Sequence, residues 1–243
     1  MSTTPPPPPS LPNPPQTPNP KLNPTITLLP ILPQDLPSLA HLESLVFKHD
    51  PFSITAFGPL KDSAENLALR VRGLERSCRV NKGEGGRWAR GWKAVVGEGE
   101  EVVGWCEWSF DGEGDGDGEG KGDGEGDGEE EEEEIGWGIS ADIKFCEDVF
   151  GKADEWMREC THENPYAKLH TLIIHPAYQR LGIGTRLLQQ GLEEVDRLHL
   201  QCVLGASPEG KGLYERFGFS EVRRMEIKLE EYVNGRGLGM VGH

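Results

Sequence analysis

Two glycines separated by one residue, Gly182 and Gly184, interrupt the stretch HPAYQRLGIGTRLL (175–188). Glycine adopts backbone angles that other residues avoid, and it lets a ligand approach the main chain closely. Where such a turn opens a helix, unpaired backbone N–H groups and the helix dipole attract an anion. Arg180 adds a positive charge, Thr185 adds a hydroxyl donor, and the stretch contains no Asp or Glu. The turn is therefore predicted to hold a phosphate or diphosphate group.

The residue types alone do not identify the anion. A P-loop requires the pattern GxxxxGK[ST], which the chain lacks. A dinucleotide-binding oxidoreductase requires the pattern GxGxxG and an acidic residue about 20 positions further on that binds the ribose. In this chain Leu187 stands where the third glycine is required, and the acidic residue is missing. A glycine turn that serves packing alone also remains open at this point.

The elements around the turn must hold it in place. The preceding run LHTLIIH (169–175) is apolar on both faces, as expected of a central strand that is covered on two sides, and Pro176 ends it. After the turn, apolar or small residues recur at 187, 188, 191, 192 and 195, a spacing typical of an amphipathic helix. The sequence thus predicts the unit strand, glycine turn, helix.

The remaining elements follow from the same periodicities. Helices are predicted where apolar residues recur every three or four positions, and strands where they alternate or run together between turn residues. The predicted strands are 25–31, 90–96, 101–110, 199–206 and 219–229, and the predicted helices are 36–48, 63–79, 141–160 and a short one after Ser207 that Gly218 stops.

The negative charge is concentrated in one segment. Residues 111–134 carry a net charge of −13 out of −16 for the whole chain, which leaves −3 elsewhere. This Gly-rich acidic segment cannot bury apolar area, so it is predicted to be a disordered insert. Its DGDGEG pieces lack the full ligand pattern and flanking helices of a calcium loop, so no metal site is predicted. An acidic chain is also a poor candidate for nucleic acid binding.

Composition predicts the domain limits and the compartment. The Pro-rich residues 1–24 are predicted to be a disordered tail, 25–233 a single domain with the acidic insert, and 234–243 a flexible C-terminal tail. Five cysteines without metal-ligand spacing are expected to be free thiols in a reducing compartment. No secretory signal and no membrane-spanning run is recognised. The expectation is a cytoplasmic, or nuclear, protein that is a monomer or a homodimer without membrane contact.

Two linked motifs carry a resemblance to a known family. The stretch TLIIHPAYQRLGIGTRLL (171–188) resembles the acetyl-CoA motif of the GNAT superfamily of N-acyltransferases, and LGASPEGKGLYERFGF (204–219) resembles the next motif of that family. The order and separation of the two motifs fit as well. The resemblance covers about 25–232, although only about 50 residues match specifically.

The resemblance implies a fold, a cofactor and a binding site. The fold is a mixed α/β (α+β) GNAT fold, with a mostly antiparallel central sheet flanked by helices and a splayed parallel strand pair that admits CoA. Acetyl-CoA is the implied cosubstrate. Its diphosphate would be held by the turn amides and its pantetheine arm by the preceding strand. The implied binding residues are Leu172, Ile173, Ile174, Arg180, Leu181, Gly182, Ile183, Gly184, Thr185 and Ser207.

The implied reaction is acetyl transfer to a primary amine by direct attack in a ternary complex. Tyr214 matches the family tyrosine that commonly protonates the leaving CoA thiolate. Many relatives use a glutamate near the position of Val203 as a base, but this chain has none there. His170, His175 and ordered water are the alternatives. A non-catalytic CoA-binding or regulatory module remains the competing interpretation, and the acceptor amine is not identified.

Two tryptophans on the predicted hairpin give a further expectation. Trp105 and Trp108 fall on opposite faces, because successive side chains alternate along a strand. In a sheet that is covered on one side, they cannot both be buried. One of them is therefore expected to line an acceptor pocket.

Overall fold

The computed structural model describes residues 24–79, 87–97, 101–111 and 136–235. It contains five strands and seven α-helices within these ranges. The strands are β1 (Ile26–Pro30), β2 (Arg87–Val96), β3 (Glu101–Asp111), β4 (Tyr166–Ile174) and β5 (Gln201–Leu204). The helices are α1 (Leu36–Val46), α2 (Pro51–Phe57), α3 (Ala64–Arg79), α4 (Ile143–Cys146), α5 (Lys152–Cys160), α6 (Ile183–Arg197) and α7 (Pro208–Glu215).

The strands form one sheet in the order β1-β2-β3-β4-β5. The first three pairings are antiparallel and β4-β5 is parallel. The parallel pairing covers only 166–169 of β4 against 201–204 of β5, so β4 continues beyond its partner. This confirms the predicted mixed α/β sheet with a parallel pair that separates. The short pairing follows from β5, which leaves the sheet at Gly205-Ala206 just before α7.

Helices cover both faces of this sheet, and this explains the two buried tryptophans. Trp105 packs with α1 and α3 on one face, whereas Trp108 packs with α6 on the other. Both side chains are fully buried, at 0% exposure. The expectation that one of the two cannot be buried is therefore wrong, because the sheet is not one-sided. Burial of each such side chain contributes roughly 1.5–3 kcal/mol to folding.

A short helix, α2, lies where no element is predicted. Pro51 occupies its first turn, and the Asp50 carboxylate caps it by accepting from the Ser53 N–H at 2.6 Å. Proline suits the first helical turn because its missing N–H would have no partner there. The helix ends at Gly58, whose φ of 73° favours glycine. Its seven residues are too few for periodicity to reveal.

The segment predicted as the last strand, 219–229, is not a strand. Residues 219–228 have no regular secondary structure, and then a 3-10 turn, Leu229–Glu231, follows. Met225, Ile227 and Leu229 alternate inward against the cluster around Phe145, as the pattern predicts. No neighbouring strand accepts its backbone hydrogen bonds among the described residues. Alternation reports a buried face, whereas a strand also requires a partner.

The domain extends slightly beyond its predicted end. The Asn234 side chain donates to the carbonyls of Thr55, at 3.3 Å, and Ser140, at 3.0 Å. The Val233 N–H donates to Asp142 at 2.8 Å. Asn234, where the flexible tail is predicted to begin, is therefore hydrogen-bonded to α2 and to the segment before α4. The predicted 1–24 tail, except Pro24, and the acidic insert, except Asp111, lie outside the described residues.

Candidate active site

The glycine turn joins β4 to α6 as predicted. Gly182 is the N-cap of α6 and has a φ of 77°, and Arg180 has a φ of 63°. A positive φ strains residues with a side chain but not glycine. Leu181 lies between them and is 45% exposed. The backbone therefore bends sharply enough to aim several amides outward at the start of the helix.

Those amides lack partners within the helix. The first helical bond runs from the Arg186 N–H to the Gly182 carbonyl at 3.1 Å. The N–H groups of Ile183, Gly184 and Thr185 precede it, and no side chain caps this terminus. The Arg180 side chain is exposed and forms no ion pair with any residue that the structure describes. Unpaired amides, the helix dipole and a nearby guanidinium are together the features that favour binding of an anion.

The open edge of β4 lies directly before this turn. The His175 N–H donates to Val103 on β3 at 2.8 Å, so by antiparallel alternation the backbone groups of Ile173 also face β3. Those of Leu172 and Ile174 face the opposite way, beyond the point where β5 ends. The Ile174 carbonyl accepts from the Gln179 side chain at 3.3 Å, which is consistent with this direction. Leu172 and Ile174 thus present the edge groups, whereas Ile173 is buried with Trp105.

Helix α7 closes the site from the other side. Ser207 is its N-cap, and its hydroxyl oxygen accepts from the Gly210 N–H at 3.2 Å. A Cβ placed on Gly184 would lie 3.6 Å from the Leu213 side chain and 3.8 Å from the Ile174 side chain. Gly184 therefore stands where α6, α7 and the edge of β4 converge. The three predicted parts of the site are brought together here.

Tyr214 reaches into this region from α7. Its ring packs against the core cluster under α6, and burial is the main cause that raises the pKa of its hydroxyl. Proximity to the Cys106 thiol acts in the same direction. Cys106 lies on β3 opposite Leu172, so the phenol comes near the middle of β4. A phenol with a raised pKa stays protonated and can serve as a proton donor.

The nearby Cys106 thiol is expected to be a poor nucleophile. Burial raises the pKa of Cys106 to about 12, and its sulfur contacts the Leu187 carbonyl at 3.7 Å. The thiolate is the nucleophilic form of cysteine, so a thiol with this pKa reacts poorly. Cys106 therefore does not fit the role of a covalent acyl carrier.

The two histidines considered from sequence have different surroundings. His175 caps the 3-10 turn Pro176–Tyr178, since its Nδ1 accepts from the Ala177 N–H at 3.1 Å. His170 is an extra residue in β4, where the register with β3 shifts, and its Nε2 lies 2.8 Å from the Ser109 hydroxyl. This bulge falls just after the last β4-β5 pair. His170 is therefore next to the opening of the sheet, and His175 has a structural role.

A buried carboxylate on β3 was not anticipated from the sequence. Glu107 is 9% exposed and lies opposite Thr171 of β4. Burial is the main cause that raises its pKa, and Arg70 and Ser77 act against this. In the sequence GWCEWSF, Glu107 is a single acidic residue within an apolar run. This pattern is equally typical of a buried functional carboxylate and of a strand position that faces solvent.

The described ranges contain neither a metal-ligating cluster nor a membrane-spanning helix. No cluster of three or more His, Cys, Asp or Glu side chains is arranged there to hold a metal ion. No helix in the same ranges has the length and apolar composition that crossing a bilayer requires.

Comparison with known proteins identifies similar sequences. Residues 157–230 match the sequence model of the acetyltransferase (GNAT) domain. A stretch of 56 residues is 44% identical to mycothiol acetyltransferase of Saccharomonospora viridis. That stretch is 23% of this chain and 18% of the relative, so the chain spans less than a fifth of the length of the relative it matches.

Solved structures share the fold. A histone acetyltransferase HPA2 and related acetyltransferase from Corynebacterium glutamicum aligns over 84% of this chain and 89% of its own, with a TM-score of 0.52 and 21% identity. A GCN5-related N-acetyltransferase from Ralstonia eutropha aligns over 84% of this chain and 98% of its own, with a TM-score of 0.50 and 16% identity. These similarities confirm the GNAT fold.

Proposed function

From the match of residues 157–230 to the acetyltransferase (GNAT) domain, we propose that the chain is a GNAT acetyltransferase that transfers an acetyl group from acetyl-CoA to a primary amine. The observation that carries the proposal is the convergence of an uncapped helix N-terminus with an open strand edge. The turn at 180–185 fits a diphosphate, and the edge groups of Leu172 and Ile174 fit the amides of a pantetheine arm.

The proposed chemistry joins these groups to Tyr214. The lone pair of a neutral amine attacks the thioester carbonyl carbon, a C–N bond forms, and the C–S bond then breaks. A backbone N–H on the open edge of β4 would stabilise the oxyanion that develops during attack. Tyr214 would protonate the departing thiolate. A primary ammonium has a pKa of about 10.4, so the amine must first lose a proton near neutral pH.

Direct transfer without an acyl-enzyme is supported by the state of the cysteines. The thiol beside Tyr214, Cys106, has a pKa of about 12, as does Cys202 on β5. Neither would be ionised appreciably at neutral pH, and a thiolate is required to take an acetyl group from a thioester. This favours the amine as the group that attacks acetyl-CoA directly.

The test is release of free CoA thiol with a panel of amines. The panel contains a lysine-containing peptide, spermidine, an aminoglycoside and phenethylamine. Each amine is tested with acetyl-CoA at about 0.2 mM, which lies within the range of KM values that enzymes usually have for their substrates. Amine-dependent thiol release and a mass gain of one acetyl group on the amine support the proposal. Tight CoA binding without turnover of any amine would favour the competing interpretation, a CoA-binding regulatory module.

A further inference from the structure

In the proposed reaction the acceptor amine must lose a proton, and no residue has yet been assigned to take it. The inference that follows, about which residue this is, rests on the proposed acetyltransferase function. The expected position near Val203 carries no carboxylate. The described residues near the opening of β4 include one buried carboxylate, Glu107, whose side chain lies on the sheet face covered by α1 and α3. The anion-binding turn at α6 belongs to the opposite face.

The position of Glu107 relates it to the opening of the sheet. Its partner on β4 is Thr171, and the register shift immediately beyond inserts His170 into β4. His170 contacts Ser109, two residues along β3 from Glu107, on the same face. The last β4-β5 pair, Leu169 with Leu204, lies at this level. Polar side chains thus lead from Glu107 toward the place where β4 becomes accessible.

The space beside Glu107 is largely apolar. A small cavity borders it, lined largely by apolar side chains that include Leu36, Leu74 and Trp105. The indole N–H of Trp105 is buried and has no acceptor among the described residues. A buried donor without a partner usually indicates a water molecule or a ligand. Trp105 and Glu107 both line this cavity, and the carboxylate is the group there that can accept a proton.

The charged groups facing Glu107 leave it able to accept a proton. Arg70 on α3 and Lys168 on β4 favour its ionised form, and Glu43 on α1 disfavours it. On β2 its partner is Gly91, which offers no charge. Arg70 is already engaged, since its Nε lies 2.7 Å from Glu43. Burial outweighs the favourable contacts and raises the pKa of Glu107 from its ordinary value.

We propose that Glu107 is the proton acceptor for the incoming ammonium, and that the amine approaches the thioester from the face covered by α1 and α3. The ammonium nitrogen gives a proton to the carboxylate, and its freed lone pair attacks the carbonyl carbon. Tyr214 gives its proton to the thiolate, and the second proton that the nitrogen loses as the C–S bond breaks restores the Tyr214 hydroxyl through solvent. Glu107 releases its proton to solvent, so each turnover yields amide, free CoA and one proton.

Replacement of the carboxylate gives the first test. Glu107→Gln is expected to lower kcat/KM about 10²–10⁴-fold at neutral pH with whichever amine the wild type acetylates. A β,β,β-trifluorinated analogue of that amine is mostly neutral at this pH, because three fluorine atoms together lower the basicity of the nitrogen far enough. The variant should acetylate the analogue at close to the wild-type rate. Acetyl-CoA affinity and melting temperature are measured alongside to exclude misfolding.

A second variant moves the pKa without removing the carboxylate. The Ser77 hydroxyl, which donates to the Gly73 carbonyl at 3.1 Å, lies near Glu107 and lowers its pKa, so Ser77→Ala should raise that pKa. Because the reaction needs the ionised form, the ascending limb of the pH-rate profile should shift to higher pH with an unchanged plateau. Ser44→Ala is the matched control, since Ser44 donates to another carboxylate, Asp62, at 2.7 Å. It should leave the profile unchanged.

The outcomes separate this proposal from the function on which it rests. If the wild type acetylates no amine, the proposed function fails. If the wild type is active but Glu107→Gln keeps its full rate and the same pH profile, Glu107 is not the proton acceptor. A stable Glu107→Gln variant that is equally slow with both amines would also overturn the proposal, because the defect would not then depend on the proton.

Discussion

Gly191 of α6 lies directly against the indole ring of Trp108 on β3. A Cβ placed on Gly191 would come 2.2 Å from Cε2 and 2.3 Å from Nε1 of that ring, well inside any real contact distance. Both residues are buried, and the ring also packs near Leu187 and Leu188. This contact fixes how closely α6 approaches the sheet. Because the glycine turn opens the same helix, this contact also sets the distance between the turn and the edge of β4.

The contact predicts that Gly191→Ala is destabilising. The added methyl group must displace either the Trp108 ring or the helix, and overpacking of this kind typically costs about 1–3 kcal/mol. Urea denaturation would measure the loss. Gly73→Ala on α3 is the matched control, since nothing lies within 4 Å of its added Cβ. Removing glycine from a helix interior there should stabilise the protein by about 0.5–1 kcal/mol. Equal stability of the two variants would contradict the packing described.

The two glycines of the turn should respond differently to substitution. Gly182→Ala is expected to destabilise the fold by roughly 1–2 kcal/mol, because its φ is 77°. Gly184→Ala has ordinary angles and space at 3.6 Å from Leu213, so it should fold normally. Its methyl group nevertheless occupies the junction of α6, α7 and β4, and acetyl-CoA binding should weaken at least about tenfold, or 1.4 kcal/mol. Calorimetry and thermal melting distinguish the two effects, and unchanged binding by Gly184→Ala would argue against a cofactor at this junction.

Tyr214→Phe should slow turnover while CoA binding survives. Loss of a general acid typically costs about 10²–10⁴-fold in rate. Burial raises the pKa of Tyr214 above the ordinary value of about 10 for a phenol, so the hydroxyl stays protonated up to that pH. Ionisation of Tyr214 should therefore not lower the wild-type rate below about pH 10. Tyr232→Phe is the control, since that hydroxyl contacts Asp148 far from the turn. A Tyr214→Phe enzyme as fast as the wild type would remove the acid role.

The buried thiols should resist both alkylation and acetylation. Burial raises the pKa of Cys106 and Cys202 to about 12, so at pH 8 only about one molecule in 10⁴ carries the thiolate at either site. Iodoacetamide should leave both unlabelled in the native protein and label them after unfolding. Incubation with acetyl-CoA without an amine should add no acetyl group to either residue. Peptide mass spectrometry measures both results, and an acetylated Cys106 that an amine then discharges would contradict direct transfer.

The parts of the site that the sequence predicts are those that local rules determine. The strand, the glycine turn and the helix each have a short-range signal, and Gly182 at a positive φ is where such a turn requires glycine. Sequence patterns do not reveal the burial of Glu107, because it depends on helices α1 and α3, which lie 28 to 71 positions earlier in the chain. The segment 219–229 was assigned as a strand because alternation reveals which side is buried but not whether a neighbouring strand is present.

The central claim is that the main-chain amides at 180–185 hold the diphosphate of CoA, and truncation of the ligand tests it most directly. S-acetylpantetheine keeps the thioester and the arm that would follow β4 but lacks the diphosphate and nucleotide. Calorimetry should show that acetyl-CoA binds the wild type at least about 100-fold more tightly, or 2.8 kcal/mol, than the truncated ligand. The difference in affinity between acetyl-CoA and S-acetylpantetheine should be smaller in the Gly184→Ala variant. Equal affinity for the two ligands would contradict the account.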